Sequence, residues 1–245
     1  MRAARIVTTL VLTAHGSADP RSAANARAVA GRLARLRPGL DVQVAFCEHN
    51  PPSLVEVLSE CAANAVIAPL LLADAYHARV DIPRQIAGSG ALRRTSAVRQ
   101  ADVLGEDDRL VTVLRERLGE LGVSRLDDGL GVLVVAIGSS RASANVRTAA
   151  VASKLAAGTR WAAATTAFAT ASDSLPVAVD ELLGRGARRL AIASWFLAPG
   201  VLTDRVHSYA DRAGIPITAP LGAHHLVAET VLDRFDQAAA ERIAA

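Results

Sequence analysis

The chain has 245 residues, enough to bury two substantial hydrophobic cores or one large core. Apolar residues make up 51% of it and aromatic residues only 3%, so the cores must consist of small and aliphatic side chains, and the aromatic interleaving typical of nucleic-acid-binding surfaces is missing. The net charge of +3 is small for this length, the longest apolar runs are well short of the ~20 residues that cross a bilayer, and the two cysteines form no Cys-x-x-Cys pattern and no disulfide framework.

The amino-terminal segment is basic and leads into an apolar stretch, which is the general pattern of a secretory signal. However, Thr8, Thr9 and Thr13 interrupt that stretch, and the region where cleavage would occur holds His15-Gly-Ser17, a pattern that recurs later in the chain. We therefore interpret the segment as the first β-strand and expect a cytoplasmic protein.

Short β-type runs alternate with longer helical patterns, which predicts parallel sheets covered by helices on both faces and an α/β fold class. In the first half the pattern predicts strands at 6–13, 42–46, 66–70 and 97–103 and helices at 20–36, 54–63 and 107–118. In the second half it predicts strands at 130–137, 161–168, 190–195 and 216–219 and helices at 144–156, 176–183, 203–213 and 223–239. The Gly- and Asp-rich segment 119–131 is the predicted linker.

Two helix starts carry specific signals. Asp19 stands before Pro20, an arrangement that predicts an N-cap followed by proline at the first helical position. Ser53 is followed three residues later by Glu56, the spacing of a capping box.

The two halves of the chain resemble each other in sequence. Segment 11–17 matches 133–139 and segment 45–48 matches 167–170, both at an offset of 122 residues. A repeat of this length corresponds to a domain rather than to a solenoid unit. We therefore predict two similar domains, at residues 1–122 and 130–245.

Only the first copy carries titratable side chains at equivalent positions. In the second copy His15 is replaced by Ile137, Glu48 by Thr170, and His77 by Leu202 or Thr203. This difference predicts one active centre, in residues 1–122, and a second domain that lacks it.

His15, Glu48 and His77 each follow a predicted strand of the first sheet. Ligands of parallel sheets bind beyond the carboxyl ends of the strands, so we expect these side chains to meet there. Two imidazoles and a carboxylate suit Fe²⁺, Co²⁺, Ni²⁺ or Zn²⁺ with open coordination positions, and they also suit proton transfer. His49 is the alternative to Glu48. A single loop histidine is most often merely solvated, but the coincidence of three favours function.

These motifs resemble those of the sirohydrochlorin chelatases, the class II tetrapyrrole chelatases. The resemblance rests on Thr13-Ala-His15-Gly-Ser17, on Phe46-Cys-Glu48 followed by Pro52-Ser-Leu54, and on the run from Pro69 to Pro83 that contains His77. It implies two similar domains with an active cleft between them. In that cleft a divalent metal would be inserted without ATP into a sirohydrochlorin-type tetrapyrrole, as Fe²⁺ for sirohaem or, nearly as well favoured, Co²⁺ for cobalamin.

On this resemblance His15 and His77 match the metal-binding, proton-accepting histidines of the family, and Glu48 matches its site glutamate. We expect the carboxylates of the substrate to be bound by arginines and other polar side chains. The candidates are Ser17, Tyr76, Arg79, Arg84 and Arg205. Ser17 recurs as Ser139, which also suits a turn and helix cap. No tightly bound cofactor, no nucleic-acid partner and no membrane partner is expected, and two domains in one chain favour a monomer.

Two other functions remain as alternatives. The first is a carrier that binds a metal or a tetrapyrrole without turnover. The second is a phosphate-transferring enzyme that uses His15-Gly-Ser; it has less support, because no arginine precedes the histidine and the chain has no glycine-rich P-loop.

Overall fold

The computed structural model describes residues 8–61, 64–91 and 98–240. Its first sheet is parallel, with the strand order β2–β1–β3–β4. The strands are β1 (Thr8–Ala14), β2 (Val42–Phe46), β3 (Asn64–Pro69) and β4 (Val98–Gln100). The predicted strand residues 6, 7 and 97 lie outside the described residues.

The first half has the three predicted helices and one further helix, at Ile82–Gly88, that was not predicted. They are α1 (Pro20–Leu36), α2 (Leu54–Glu60), α3 (Ile82–Gly88) and α4 (Asp108–Glu120). A five-residue π-helical turn (His77–Asp81) leads directly into α3. Both predicted caps are confirmed: the Asp19 carboxylate accepts a hydrogen bond from the Arg21 amide at 3.0 Å, and Ser53 and Glu56 form the reciprocal bonds of a capping box.

The second sheet is also parallel, with the order β6–β5–β7. Its strands are β5 (Leu130–Ala136), β6 (Ala163–Phe168) and β7 (Arg189–Trp195). The helices of this half are α5 (Ala142–Ala156), α6 (Ser174–Gly184), α7 (Val201–Ala213) and α8 (His225–Ala240). The predicted α/β fold class, with two parallel sheets flanked by helices, is confirmed.

One predicted strand, at 216–219, is wrong. The structure has only an isolated bridge there, between Ile192 and Ile217. Because Pro216 and Pro220 have no amide hydrogen to donate, the pairing does not extend into a ladder on either side.

Each sheet is buried on both faces, as the near-continuous apolar runs of the central strands require. All residues of β1 after the first are buried, and every residue of β5 is buried. One core includes Val11, Leu54, Leu58, Ile67 and Ile82. The other includes Leu133, Val135, Leu182, Ile192 and Phe196. No described helix is both long and apolar enough to span a membrane.

The compact units of the fold do not coincide with the sequence repeats. One unit comprises residues 1–105 and 227–245, and the other comprises residues 106–226. The predicted boundaries, 1–122 and 130–245, follow the repeat and therefore assign α4 and α8 differently. Within the first unit α8 is held by Arg234, whose Nε donates to the carbonyl oxygen of Val103 at 3.2 Å, and by an ion pair between Arg37 and Asp236.

Candidate active site

Three neighbouring strands of the first sheet end at the same edge. In register, Ala14 of β1 lies beside Phe46 of β2, and Thr13 lies beside Pro69 of β3. His15 follows β1 directly, Glu48 comes two residues after β2, and His77 opens the π-helical turn in the connection that follows β3. The sheet therefore brings the predicted site residues to one edge.

Gly16 allows the loops after β1 and β2 to approach closely. It adopts a φ of +96°, and a Cβ atom built there would lie 1.8 Å from the carbonyl oxygen of Glu48. The Glu48 amide donates to the carbonyl oxygen of His15 at 3.0 Å, and the Ser17 amide donates to Asn50 Oδ1 at 2.8 Å. Backbone contacts thus fix Glu48 next to His15.

The imidazoles of His15 and His77 lie against each other. Their ring centroids are 3.9 Å apart and the ring planes are tilted by 41°. The side chains are 37% and 39% exposed. Nε2 of His15 lies 2.9 Å from Oε1 of Glu48. The structure therefore brings His15, Glu48 and His77 together at an open surface.

Burial lowers the pKa of His15 below its ordinary value, and the adjacent His77 lowers it further. The negative charge of Glu48 acts in the opposite direction but does not reverse the shift. In the neutral ring one nitrogen carries a lone pair. His15 is thus kept in the form that both binds a metal and accepts a proton.

His77 has a carboxylate partner in the same turn. Its Nδ1 lies 2.6 Å from Oδ2 of Asp81, four residues further on. Sequence analysis missed this pair because it predicted no helix in this segment, although the His-x-x-x-Asp spacing suits a contact across one helical turn.

His49, the alternative to Glu48, lies at the outer side of the cluster. It adopts a left-handed φ of +63°, and its side chain is 52% exposed. Its Nε2 is 3.7 Å from Oε1 of Glu48, and its ring centroid is 6.5 Å from that of His15. Of the two residues, Glu48 is therefore the one in direct contact with His15.

Within the ranges that the structure describes, no group of three or more His, Cys, Asp or Glu side chains is arranged to enclose a metal ion. His15 and Glu48 are bonded to each other, and His77 is bonded to Asp81. The cluster is therefore an open arrangement of donors rather than a closed structural metal centre.

Of the predicted substrate contacts, Tyr76 lies beside His77, and Arg79 lies in the same π-helical turn as His77. Tyr76 is 50% exposed, and its ring centroid lies 5.9 Å from that of His77. The Nε atom of Arg79 donates to Oδ1 of Asp74 at 2.8 Å, which orients the guanidinium.

The other predicted contacts have different surroundings. The Ser17 hydroxyl accepts a hydrogen bond from the Asp19 amide at 3.0 Å, so it serves the turn before α1. Arg84 is exposed on α3, and Arg205 is exposed on α7 in the other compact unit.

The second repeat reproduces the backbone of the site without its chemistry. Gly138 has a φ of +95°, and the Thr170 amide donates to the carbonyl oxygen of Ile137 at 3.0 Å, as the Glu48 amide does to His15. Ile137 itself is 49% exposed. An exposed isoleucine therefore stands where the first repeat has His15.

A sequence model of the CbiX family matches residues 9–121 and 131–238. The chain belongs to the CbiX family. The two matched ranges show that this CbiX chain contains two copies of the family's unit, as the internal repeat predicted.

Curated relatives match parts of this CbiX chain. The sirohydrochlorin ferrochelatase of Priestia megaterium is 34% identical over 115 residues, which cover 44% of this chain and 43% of that protein. A sirohydrochlorin cobaltochelatase of Sulfurisphaera tokodaii is 32% identical over 84 residues, which cover 33% of this chain and 67% of that protein. The match to the ferrochelatase thus spans less than half of its length.

The fold matches that of a solved structure over nearly all of both chains. SirB from Bacillus subtilis, determined with Fe³⁺, has a TM-score of 0.82 and 20% sequence identity, and the alignment covers 97% of both chains. At this identity the likeness shows the shared fold.

Proposed function

We propose that this chain is a sirohydrochlorin chelatase that inserts Fe²⁺ or Co²⁺ into a polycarboxylate tetrapyrrole without ATP. The observation that carries the proposal is the stacked pair of imidazoles, His15 and His77, at the carboxyl edge of the first sheet. The relatives named as sirohydrochlorin ferrochelatase and cobaltochelatase support the substrate class.

The geometry at His15 and Glu48 suits transient metal binding. Two ligand atoms bound side by side to one metal, each at about 2.0–2.2 Å, lie about 3 Å from each other. His15 Nε2 and Glu48 Oε1 are 2.9 Å apart, so a metal could replace the hydrogen between them with little movement. His77 would supply the third donor.

The openness of the site is part of the mechanism. Insertion exchanges the protein's donors for four ring nitrogens, so protein ligands that saturate the metal would hold it back. Side chains that are between one third and one half exposed leave a face over which a planar macrocycle can approach.

Insertion also releases two pyrrole protons for each divalent metal, and the site must accept them. The lowered pKa of His15 favours its neutral ring, and this ring accepts a proton at Nε2 when the metal leaves that nitrogen for the macrocycle. Glu48, in contact with that ring, is the acceptor for the second proton. Arg79 and Arg84, which lie in the turn and in α3 beyond His77, pair with the carboxylates of the macrocycle.

The test is anaerobic incubation of the purified protein with sirohydrochlorin and Fe²⁺ or Co²⁺, followed by the change in visible absorbance. We expect many turnovers per protein molecule and a rate well above that of the protein-free control. A rate equal to that control with both metals would overturn the proposal.

The same experiment separates the enzyme from a carrier of metal or tetrapyrrole. A carrier gives a change that stops at one equivalent, whereas an enzyme continues until substrate is exhausted. The marginal preference for iron over cobalt, the lack of a tightly bound cofactor, the monomeric state and the cytoplasmic location stay predictions. The oligomeric state is measured by sedimentation.

A further inference from the structure

The contact between His77 and Asp81 fixes which nitrogen of His77 carries hydrogen. An ionised carboxylate only accepts hydrogen bonds, and Oδ2 of Asp81 lies 2.6 Å from Nδ1 of His77. Nδ1 is therefore the protonated nitrogen of the neutral ring, and Nε2 keeps its lone pair. The side chain of Asp81 is only 21% exposed, so water competes weakly for the contact.

His15 has the opposite arrangement. Its Nε2 is the nitrogen bonded to the Glu48 carboxylate, while its Nδ1 is buried without a hydrogen-bond partner. The two rings thus differ in tautomer although they stack on each other. Of the pair, only His77 has an Nε2 lone pair before any metal arrives.

The π-helical turn is what joins His77 to Asp81. The turn spans His77–Asp81 and is anchored by the Gln100 side chain, whose Nε2 donates to the carbonyl oxygen of Ala78 at 2.7 Å. In the second repeat, where Thr203 and His207 occupy the matching positions, α7 runs from Val201 to Ala213 as regular α-helix. Single π-helical turns are rare and concentrate at functional sites.

We propose that Asp81 is a positioning residue for the insertion reaction. By accepting the Nδ1 hydrogen it holds His77 in one tautomer and one ring orientation, so that Nε2 is the nitrogen that receives the metal. Carboxylate partners of metal-binding histidines act in this way in general. The role of Asp81 in metal insertion rests on the proposed function. The tautomer of His77 rests only on the contact geometry.

The test uses the metal-free full-length protein with ¹⁵N-labelled histidine, and compares the wild type with Asp81→Ala and Asp81→Asn. Long-range ¹H–¹⁵N spectra report the tautomer of each ring, and loss of one signal set in His77→Gln assigns His77. We expect His77 to be the Nδ1–H tautomer in the wild type and to shift toward the Nε2–H tautomer in both variants. Asparagine is included because it has nearly the same size and shape as aspartate, but its amide nitrogen can donate a hydrogen bond to Nδ1. Asp236→Asn, which removes the ion pair with Arg37, is the matched control and should leave His77 unchanged.

The second readout is metal binding and turnover. Loss of Asp81 should weaken Co²⁺ binding, measured by calorimetry, by about 10- to 100-fold. It should lower kcat/KM for the metal by a similar factor and leave KM for sirohydrochlorin and the thermal midpoint of unfolding near wild type.

The outcomes separate the two proposals. An Nε2–H tautomer of His77 in the wild type, or wild-type Co²⁺ affinity in both folded Asp81 variants, would overturn the positioning role. A wild-type protein that binds Co²⁺ through His77 but inserts neither metal would overturn the proposed function, and only the role of Asp81 in orienting His77 for metal binding would stand.

Discussion

The rings of His15 and His77 stack with their centroids 3.9 Å apart, although α1, β2, α2 and β3 all lie between them in the chain. Burial is the larger cause that lowers the pKa of His15, and His77 lowers it further, because two imidazolium ions at this distance would repel each other. The stacking therefore favours the neutral form of His15, which is the form of imidazole that binds metals.

If the proposed function holds, His15→Ala and His77→Ala should each reduce the rate of metal insertion by about 10²-fold or more, because each would remove a proposed metal donor and proton acceptor. The rate is measured with Fe²⁺ and with Co²⁺ under anaerobic conditions. His225→Ala, at the exposed start of α8, is the control for loss of an imidazole elsewhere. Near-wild-type rates in both site variants would contradict the assignment.

Stability should depend on pH through His15. Because the pKa of His15 is lowered in the folded protein, the unfolded chain, with its ordinary pKa of about 6.5, binds this proton more readily. The free energy of unfolding therefore falls as the pH is lowered through about 6.5 and rises again on return to neutral pH. Urea unfolding of the wild type and of His15→Ala at several pH values measures the slope. The variant should show a shallower dependence, and an identical slope would refute this origin of the effect.

Gly16→Ala should damage both stability and the site. The new Cβ would meet the Glu48 carbonyl oxygen at 1.8 Å, and the φ of +96° is strained for any L-residue, so we expect a loss of more than about 3 kcal/mol. Metal insertion should fall as well, because the backbone of Glu48 must move.

Two other glycines separate the causes. Gly39→Ala has a similar φ of +85° but nothing within 4 Å, so it should cost only about 1–2 kcal/mol. Gly138→Ala meets the rotatable Thr170 hydroxyl at 2.5 Å in the second repeat, and should destabilise without altering His15. Chemical denaturation of the three variants gives the comparison. Equal losses at Gly16 and Gly39 would rule out the clash.

Much of the fold could be predicted because its signals are local. The apolar run of β1 and the Asp19 and Ser53 caps are visible within a few residues, and each of these elements forms as expected. The strand predicted at 216–219 failed because hydrophobic pattern alone does not reveal that flanking prolines stop a ladder.

The sequence predicts the positions of site residues that directly follow a strand, but not of those that depend on a turn further along the chain. Parallel pairing places His15 and Glu48 at one edge whatever the details of the loops. The role of Asp81 depends instead on a π-helical turn, which has no simple sequence period. Likewise, the repeat shows which residues correspond, but it does not show that α8 packs into the first unit.

Cys47 should be chemically inert in the folded, metal-free protein. Burial, together with the negative charges of Asp81 and Glu48, raises the pKa of its thiol to about 12. The thiolate fraction at about pH 8 is then roughly 10³-fold below that of an ordinary cysteine. Labelling with iodoacetamide, followed by mass spectrometry of the Cys47 peptide, should be slow in buffer and fast in urea. Fast labelling of the native protein would show that the thiol is less buried than the structure has it.

Arg234 tests whether α8 belongs to the first compact unit. Its guanidinium donates to the carbonyl oxygens of Val103 and Leu104, each at 3.2 Å, and its side chain is only 18% exposed. Arg234→Ala leaves these acceptors without their charged donor and should cost about 1.5–3 kcal/mol. Arg234→Lys should recover little of this stability, because one ammonium group does not reproduce the two donor groups of the guanidinium. Arg37→Ala, which removes the exposed ion pair between the end of α1 and Asp236 of α8, is the control and should cost about 1 kcal/mol or less. Urea unfolding measures all three, and equal small losses would mean that the contacts of Arg234 do not hold α8 in the first unit.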